Sequence, residues 1–215
     1  MKVKKAFWNK EFSGGKWNFI DDTANDCIYP HLEKYACGGD ILDLGCGPGN
    51  TANELASHAY RSYIGIDISD SAIAKGITRT NETGRSNKNK FVCSDFLGYM
   101  PTQEFDVILF RESLYHVPHG RVLQLLAKYS EHLKPSGVFI VRLYLGDFQT
   151  GRVKYRVKRK LDLIRSHYNV VESSRYDIPG TPTVLIFQPR TAKFSLQLQD
   201  EKNESGQMDS RSVRV

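Results

Sequence analysis

Two stretches of the 215-residue chain hold the side chains best suited to chemistry. The first is Ile41-Leu42-Asp43-Leu44-Gly45-Cys46-Gly47-Pro48-Gly49-Asn50, where an apolar run ends in an acid and three glycines follow. The second is Arg111-Glu112-Ser113-Leu114-Tyr115-His116-Val117-Pro118-His119, dense in groups that can move protons. The first reads as a strand, a tight turn and a helix start, where a nucleotide-like ligand can lie against bare backbone. Glycine is needed there because a Cβ would hold the ligand away from the peptide N–H groups. In the second, the imidazole of His116 has an unperturbed pKa near ~6.5, suited to proton transfer at neutral pH. Tyr115 can stack on a ligand or hydrogen-bond to it, and Glu112 can neutralise a cationic amine. The plain alternative is that His116 and His119 only shape a loop.

The glycine loop narrows the choice of ligand. Gly45 and Gly47 fit the first two positions of the dinucleotide fingerprint G-x-G-x-x-G, but Asn50 takes the third and Gly49 comes one residue early. Asp43 would repel a pyrophosphate, whereas a cationic methionine ammonium would tolerate or use its carboxylate. The pattern D-x-G-x-G-x-G therefore points to S-adenosylmethionine. Tyr63-Ile64-Gly65-Ile66-Asp67-Ile68 reads as a second strand ending in an acid. Asp67 lies about 20 residues beyond the loop, where a carboxylate can accept from both ribose hydroxyls. Ser69 or Asp70 then suits the N-cap of a helix.

From about Tyr35 to Pro189 the chain resembles the class I S-adenosylmethionine-dependent methyltransferases. Asp43 to Gly49 is similar to that family's first motif and Tyr63 to Ile68 to its second. Phe91-Val92-Cys93-Ser94-Asp95-Phe96 resembles the third, where an acid meets the adenine amino group. Phe105 to Glu112 resembles the fourth strand, and Leu133 to Ile140 the turn into the fifth. The resemblance implies S-adenosylmethionine as cofactor. The residues expected around it are Asp43, Gly45, Cys46, Gly47, Gly49, Asp67, Ile68, Asp95, Phe96, Arg111 and Trp17. The catalytic candidates are His116 and Tyr115. A methyl sulfonium is already activated, so the main tasks are alignment and exclusion of water. A base helps where the nucleophile must lose a proton.

The acceptor is read by exclusion. Amino-methylating nucleic acid enzymes show a Pro-Pro-aromatic turn after the fourth strand, and this chain has no Pro-Pro dipeptide. Cytosine-carbon methylases use a Pro-Cys nucleophile, and no proline here precedes a cysteine. Leu114-Tyr115-His116, Phe7-Trp8-Asn9-Lys10 and Gly15-Lys16-Trp17 are similar to small-molecule N-, O- or S-methyltransferases of the nodulation and thiopurine types. His116 departs from the nodulation type, which tends to show a second aromatic there. A small-molecule acceptor is the leading expectation. The alternatives are an RNA or protein methyltransferase using a basic helix, and a non-enzymatic or NAD-type Rossmann-like protein.

Positioning these residues requires an α/β fold. The expected form is a Rossmann-like, seven-stranded, mostly parallel sheet with helices on both faces and an antiparallel last strand. The short link between Val170–Tyr176 and Thr183–Phe187 suits a hairpin and not a crossover. Helices are expected at Thr51–His58, Ser71–Asn81, Gly120–Leu133 and Val153–Tyr168. Residues 1–34, with Trp8, Phe12, Trp17, Phe19 and Tyr29, read as a cap over the cofactor edge. Residues 35–192 read as the methyltransferase domain and 193–215 as a flexible polar tail.

The net charge is +6, with a pI of about 9.1. Arg152, Lys154, Arg156, Lys158, Arg159, Lys160 and Arg165 cluster in the last helix, opposite an apolar stripe. This reads as a solvated face, with an acidic or nucleic acid partner as the sharper option. Cys27, Cys37, Cys46 and Cys93 form no C-x-x-C pair, so reduced thiols and no metal site are expected. No apolar run approaches the ~18 residues of a membrane span. The basic start lacks an apolar segment behind it, and a cytoplasmic location is the default.

Overall fold

A computed structural model describes residues 2–14, 23, 25–145 and 151–190. Two helices, α1 (Lys2–Ser13) and α2 (Tyr29–Ala36), precede the alternating part. There follow β1 (Gly39–Leu44), α3 (Asn50–Glu54), β2 (Tyr60–Asp67), α4 (Asp70–Glu82), β3 (Asn89–Cys93) and β4 (Phe105–Arg111). Then come α5 (Val122–Ser130), β5 (Leu133–Tyr144), α6 (Gly151–His167), β6 (Tyr168–Arg175) and β7 (Pro182–Pro189). All seven strands form one sheet in the order β3-β2-β1-β4-β5-β7-β6. The pairs among β1 to β5 are parallel, and β7 runs antiparallel to both its neighbours. The doubly wound sheet and the reversed final strand agree with the sequence reading.

The central strands are apolar on both faces because helices cover both. In β1, Ile41 packs with Leu32 of α2, Ile73 of α4 and Leu109 of β4 on one side. Leu42 and Leu44 point the other way, into a layer with Leu126 of α5 and Ile164 of α6. Burying one such side chain contributes about 1.5–3 kcal/mol, so each strand is held by several terms of that size.

Two helices are shorter than their periodicity predicts. In α3, the carbonyl of Ala52 accepts from Tyr60 Oη at 2.8 Å, Arg85 Nη1 at 2.9 Å and Asn89 Nδ2 at 3.1 Å. Arg85 also donates to Leu55 O at 2.7 Å. These side chains satisfy the carbonyls of the last turn, so Leu55 can leave the helix for an extended conformation with ψ 140°. In α5, Leu133 is claimed by the sheet: it pairs with Phe105 of β4 and opens β5. The start of α4 is as expected, with Ser69 Oγ accepting from the Ala72 N–H at 3.2 Å.

Helix α6 corrects one detail of the charge reading. Arg156, Lys158, Arg159 and Arg165 are exposed, while Val157, Leu161 and Ile164 are buried. Lys160 belongs with the buried residues and not with the solvated face. No helix among the described residues is long and apolar enough to cross a membrane.

Candidate active site

The loop from β1 to α3 is pressed against the exit of β4. The N–H groups of Gly45 and Cys46 both donate to Ile66 O of β2, at 2.7 and 3.0 Å. Gly45 has φ +88°, and a Cβ there would lie 2.4 Å from Ser113 Cβ. Gly49, with φ +74°, caps α3. A Cβ on Gly49 would meet the Phe91 ring at 2.7 Å and Gly76 Cα at 3.1 Å. Gly49 therefore lets α3 pack closely against α4 and β3.

Beside this loop, at the carboxyl ends of β1, β2, β4 and β5, is a cavity of about 950 Å³. Of the residues expected from sequence, Gly45, Cys46, Gly47, Asp67, Ile68, Asp95, Phe96, Arg111, Tyr115 and His116 all line it. Asp43 and Gly49 do not; they lie beneath and behind the loop. Trp17 falls outside the described residues. Trp8 and Phe12 of α1 form part of the wall, placing the N-terminal helix over the cavity. That helix is tied to α4 by the Lys5–Asp70 ion pair at 2.9 Å and by Ser69 Oγ donating to Asn9 Oδ1 at 2.8 Å.

The acids differ sharply in their surroundings. Asp67 accepts the Gly47 N–H at 3.0 Å on one oxygen and the Ser69 N–H at 2.9 Å on the other. Burial raises its pKa, and these backbone donors oppose the rise. Asp95 accepts the Leu97 N–H at 2.9 Å in a local turn. Asp43 is fully enclosed and accepts from Tyr63 Oη at 2.7 Å, while its other oxygen has no hydrogen-bond partner. Burial pushes its pKa up to about 6, and Tyr63 and Arg111 pull the other way.

Asp43 gives the protein a pH signature. Between an unfolded value near ~3.9 and about 6, the folded chain keeps a proton that the unfolded chain has lost. Its contribution to stability is therefore complete below pH ~4 and is lost as pH rises to 6. At about 1.4 kcal/mol per pKa unit the loss is about 3 kcal/mol. Glu112, pushed up to about 7 chiefly by burial, adds a slope of the same sign. In urea unfolding from pH 4 to pH 7, Asp43→Asn should flatten the part of the curve below pH 6. An unaltered slope in Asp43→Asn would remove Asp43 as its source.

At the ends of β4 and β5 lies a network of four charged side chains. Asp26, 5% exposed, receives Arg111 Nη2 at 2.6 Å and Arg142 Nη2 at 3.1 Å. Arg142 also reaches Glu112 at 3.1 Å and donates to Tyr144 Oη at 2.6 Å. Arg111 further donates to Tyr29 Oη and Thr51 Oγ1, both at 3.3 Å. Glu112 has φ +55°, uncommon for a residue with a Cβ. That turn of the backbone brings its carboxylate onto the cavity wall.

Tyr115 and His116 sit in a 3-10 turn, Leu114–His116, directly after β4. The Tyr115 hydroxyl takes the Tyr144 N–H at 2.6 Å and donates to Tyr144 O at 3.2 Å. Burial beside Glu112 raises its pKa, so it stays protonated. His116 stands at the rim with its ring 5.1 Å, edge-on, from that of Trp8. Desolvation and the charges of Lys160 and Lys4 push its pKa below the usual value. Among the described residues, no group of three or more His, Cys, Asp or Glu is placed to hold a metal ion.

Sequence reasoning missed Asp26, Arg142 and Tyr144. Arg142 was detectable as a lone charge in the apolar run Val138–Leu143. Asp26 carried no signal, because its partners are more than 80 residues away in sequence.

The doubly wound sheet with β7 reversed and a glycine loop at the cavity defines the class I methyltransferase fold. Residues 41–137 match the family model for a methyltransferase domain. A sterol 24-C-methyltransferase of Gibberella zeae is 32% identical over 112 residues, covering 50% of this chain and 28% of that protein. The 27-O-demethylrifamycin SV methyltransferase of Amycolatopsis mediterranei is 28% identical over 149 residues, 66% of this chain and 52% of that protein. The chain thus spans only about a quarter to a half of the length of these relatives. Among solved structures, the 1,6-didemethyltoxoflavin-N1-methyltransferase of Burkholderia thailandensis, with 1,6-didemethyltoxoflavin and S-adenosylhomocysteine bound, has a TM-score of 0.69 at 18% identity. It covers 87% of this chain and 88% of its own. The N-methyltransferase NodS of Bradyrhizobium japonicum, with S-adenosylhomocysteine, has a TM-score of 0.63 at 16% identity, covering 80% and 91%. At such identities the likeness is one of fold.

Proposed function

We propose that this protein is an S-adenosylmethionine-dependent methyltransferase acting on a small-molecule acceptor. The observation that carries the reading is the joint placement of the glycine loop, Asp67 and Asp95 on one cavity wall. Its lining suits the cofactor: open backbone at Gly47, where no side chain comes nearer than 3.7 Å to a Cβ position, and two carboxylates to accept from hydroxyl and amino groups. Asp67 retains lone pairs for the ribose hydroxyls beyond the two backbone N–H groups it already accepts. Asp95 suits the adenine amino group, with Ile68 and Phe96 as apolar walls. Arg111 lies at the far end, bound to Asp26. The resident cofactor would supply an activated methyl group for an in-line displacement by N, O or S.

The remaining wall is the acceptor side. Trp8, His116 and Tyr144 supply ring surfaces there, and α1 covers the opening against water. His116 is the proposed proton acceptor where the nucleophile carries a proton, since its lowered pKa leaves it neutral near pH 7. Tyr115, with its hydroxyl held by the Tyr144 backbone, positions the turn. In this scheme α1 caps the site and the elements from β1 to β7 hold the transfer machinery; the tail read at 193–215 lies outside the described residues.

The relatives named above act on a sterol, a rifamycin and a toxoflavin precursor, which supports a small-molecule acceptor and leaves its atom to experiment. The direct test is methyl transfer from S-adenosylmethionine to a metabolite library, read by mass gain. Transfer to one or a few related metabolites supports the proposal. Transfer confined to RNA, and weakening steeply with salt, would favour the exposed basic residues of α6 as a docking face.

A further inference from the structure

Lys160 is a buried cation that the transfer reaction, as outlined, does not use. It lies on the inward side of α6 beside Val157, Leu161 and Ile164, with 5% of its surface exposed. A leucine there would complete the apolar stripe without the cost of desolvating an ammonium. The charge must therefore be explained by what it holds. Its Nζ donates to Leu114 O at 3.0 Å and to Tyr115 O at 2.9 Å. Both carbonyls belong to the turn that follows β4 and carries Tyr115 and His116 to the cavity wall. The turn's own backbone supplies only the His116-to-Ser113 and Val117-to-Leu114 bonds, at 3.1 and 3.2 Å. Charge-assisted bonds from Lys160 are stronger than these.

We propose that Lys160 is a positioning residue that, from α6, fixes the turn bearing Tyr115 and His116 at the cavity wall, with its ammonium on the carbonyl that precedes His116. The proposal rests on the reading of His116 as facing a methyl acceptor. Desolvation lowers the His116 pKa most, and the charges of Lys160 and Lys4 act the same way. Arg156 on its own helix also acts on Lys160. Burial, with the Arg156 charge second, lowers the Lys160 pKa to about 8, which leaves it mostly charged at neutral pH. On the other side of His116 stand Lys4 and Trp8 of α1, and beside it the Tyr115 ring.

The test is a histidine-selective NMR titration of the full chain, with His116→Gln identifying the His116 signal among the six histidines. In the parent, His116 should titrate below the ordinary value of ~6.5. Lys160→Met, which keeps the aliphatic stem, should raise the His116 pKa by about half a unit or more. It should also speed amide exchange across Ser113–Val117 about tenfold. Lys160→Arg should restore the low His116 pKa. An unchanged His116 titration in Lys160→Met, or one raised equally in Lys160→Arg, overturns the proposal. If Lys160→Met does not fold, Lys160→Gln is judged by the same criteria. Calorimetry with S-adenosylhomocysteine on the same samples separates the two readings. Loss of binding in the parent defeats the cofactor assignment, whereas the His116 titration alone decides the role of Lys160.

Discussion

Asp67→Asn is expected to weaken S-adenosylhomocysteine binding by about 30- to 1000-fold, or about 2–4 kcal/mol, at 1.4 kcal/mol per tenfold. Two effects add. The asparagine loses charge-assisted bonds to the ribose hydroxyls, each worth about 1.5–3 kcal/mol. Its amide NH₂ must also face one of the two backbone donors, Gly47 N–H or Ser69 N–H, that the carboxylate accepts at 3.0 and 2.9 Å. One donor is then left without an acceptor, and the glycine loop shifts at the position the cofactor must approach. Calorimetry reads the loss, with Asp95→Asn as a milder comparison. Equal affinities for parent and Asp67→Asn would remove Asp67 from the site.

The largest loss of stability should come from Asp26→Ala. This side chain is 5% exposed and lies between two arginines, so its removal leaves buried positive charge uncompensated. Breaking a buried pair in this way costs about 3–5 kcal/mol. Glu112 still faces Arg142 at 3.1 Å, so Arg111 is the guanidinium left most exposed to the loss. Arg111 lines the cavity, so disorder there should reach the cofactor side as well. A shift of the urea midpoint with unchanged slope would measure the effect. A change below about 1 kcal/mol, the range of exposed pairs, would mark Asp26 as a peripheral contact.

The parts legible in the sequence are those whose signal is local. The strand–glycine–helix unit at Asp43–Asn50 and the acid ending β2 declare themselves through residue types a fixed distance apart. The reversed β7 follows from a link too short for a crossover. The parts that were not legible depend on contacts between distant segments. Asp26 gains its meaning from Arg111 and Arg142, and α3 stops early because side chains of β2, β3 and the loop before β3 take its last carbonyls. Asp43 shows a middle case: the sequence marks it as a site acid, but the structure encloses it under Tyr63, one layer below the cavity wall. Lys160 was available in principle, since its spacing from Val157 and Ile164 puts it on the apolar stripe, but composition grouped it with the exposed basic residues of α6.

The central claim is that the cavity beside Gly45 and Gly47 is a site for S-adenosylmethionine. Isothermal calorimetry of the full chain with S-adenosylhomocysteine, and separately with NAD, tests it most directly. The account requires saturable binding of S-adenosylhomocysteine at one site per chain and no heat with NAD. Binding of NAD, or no binding of S-adenosylhomocysteine, would contradict it.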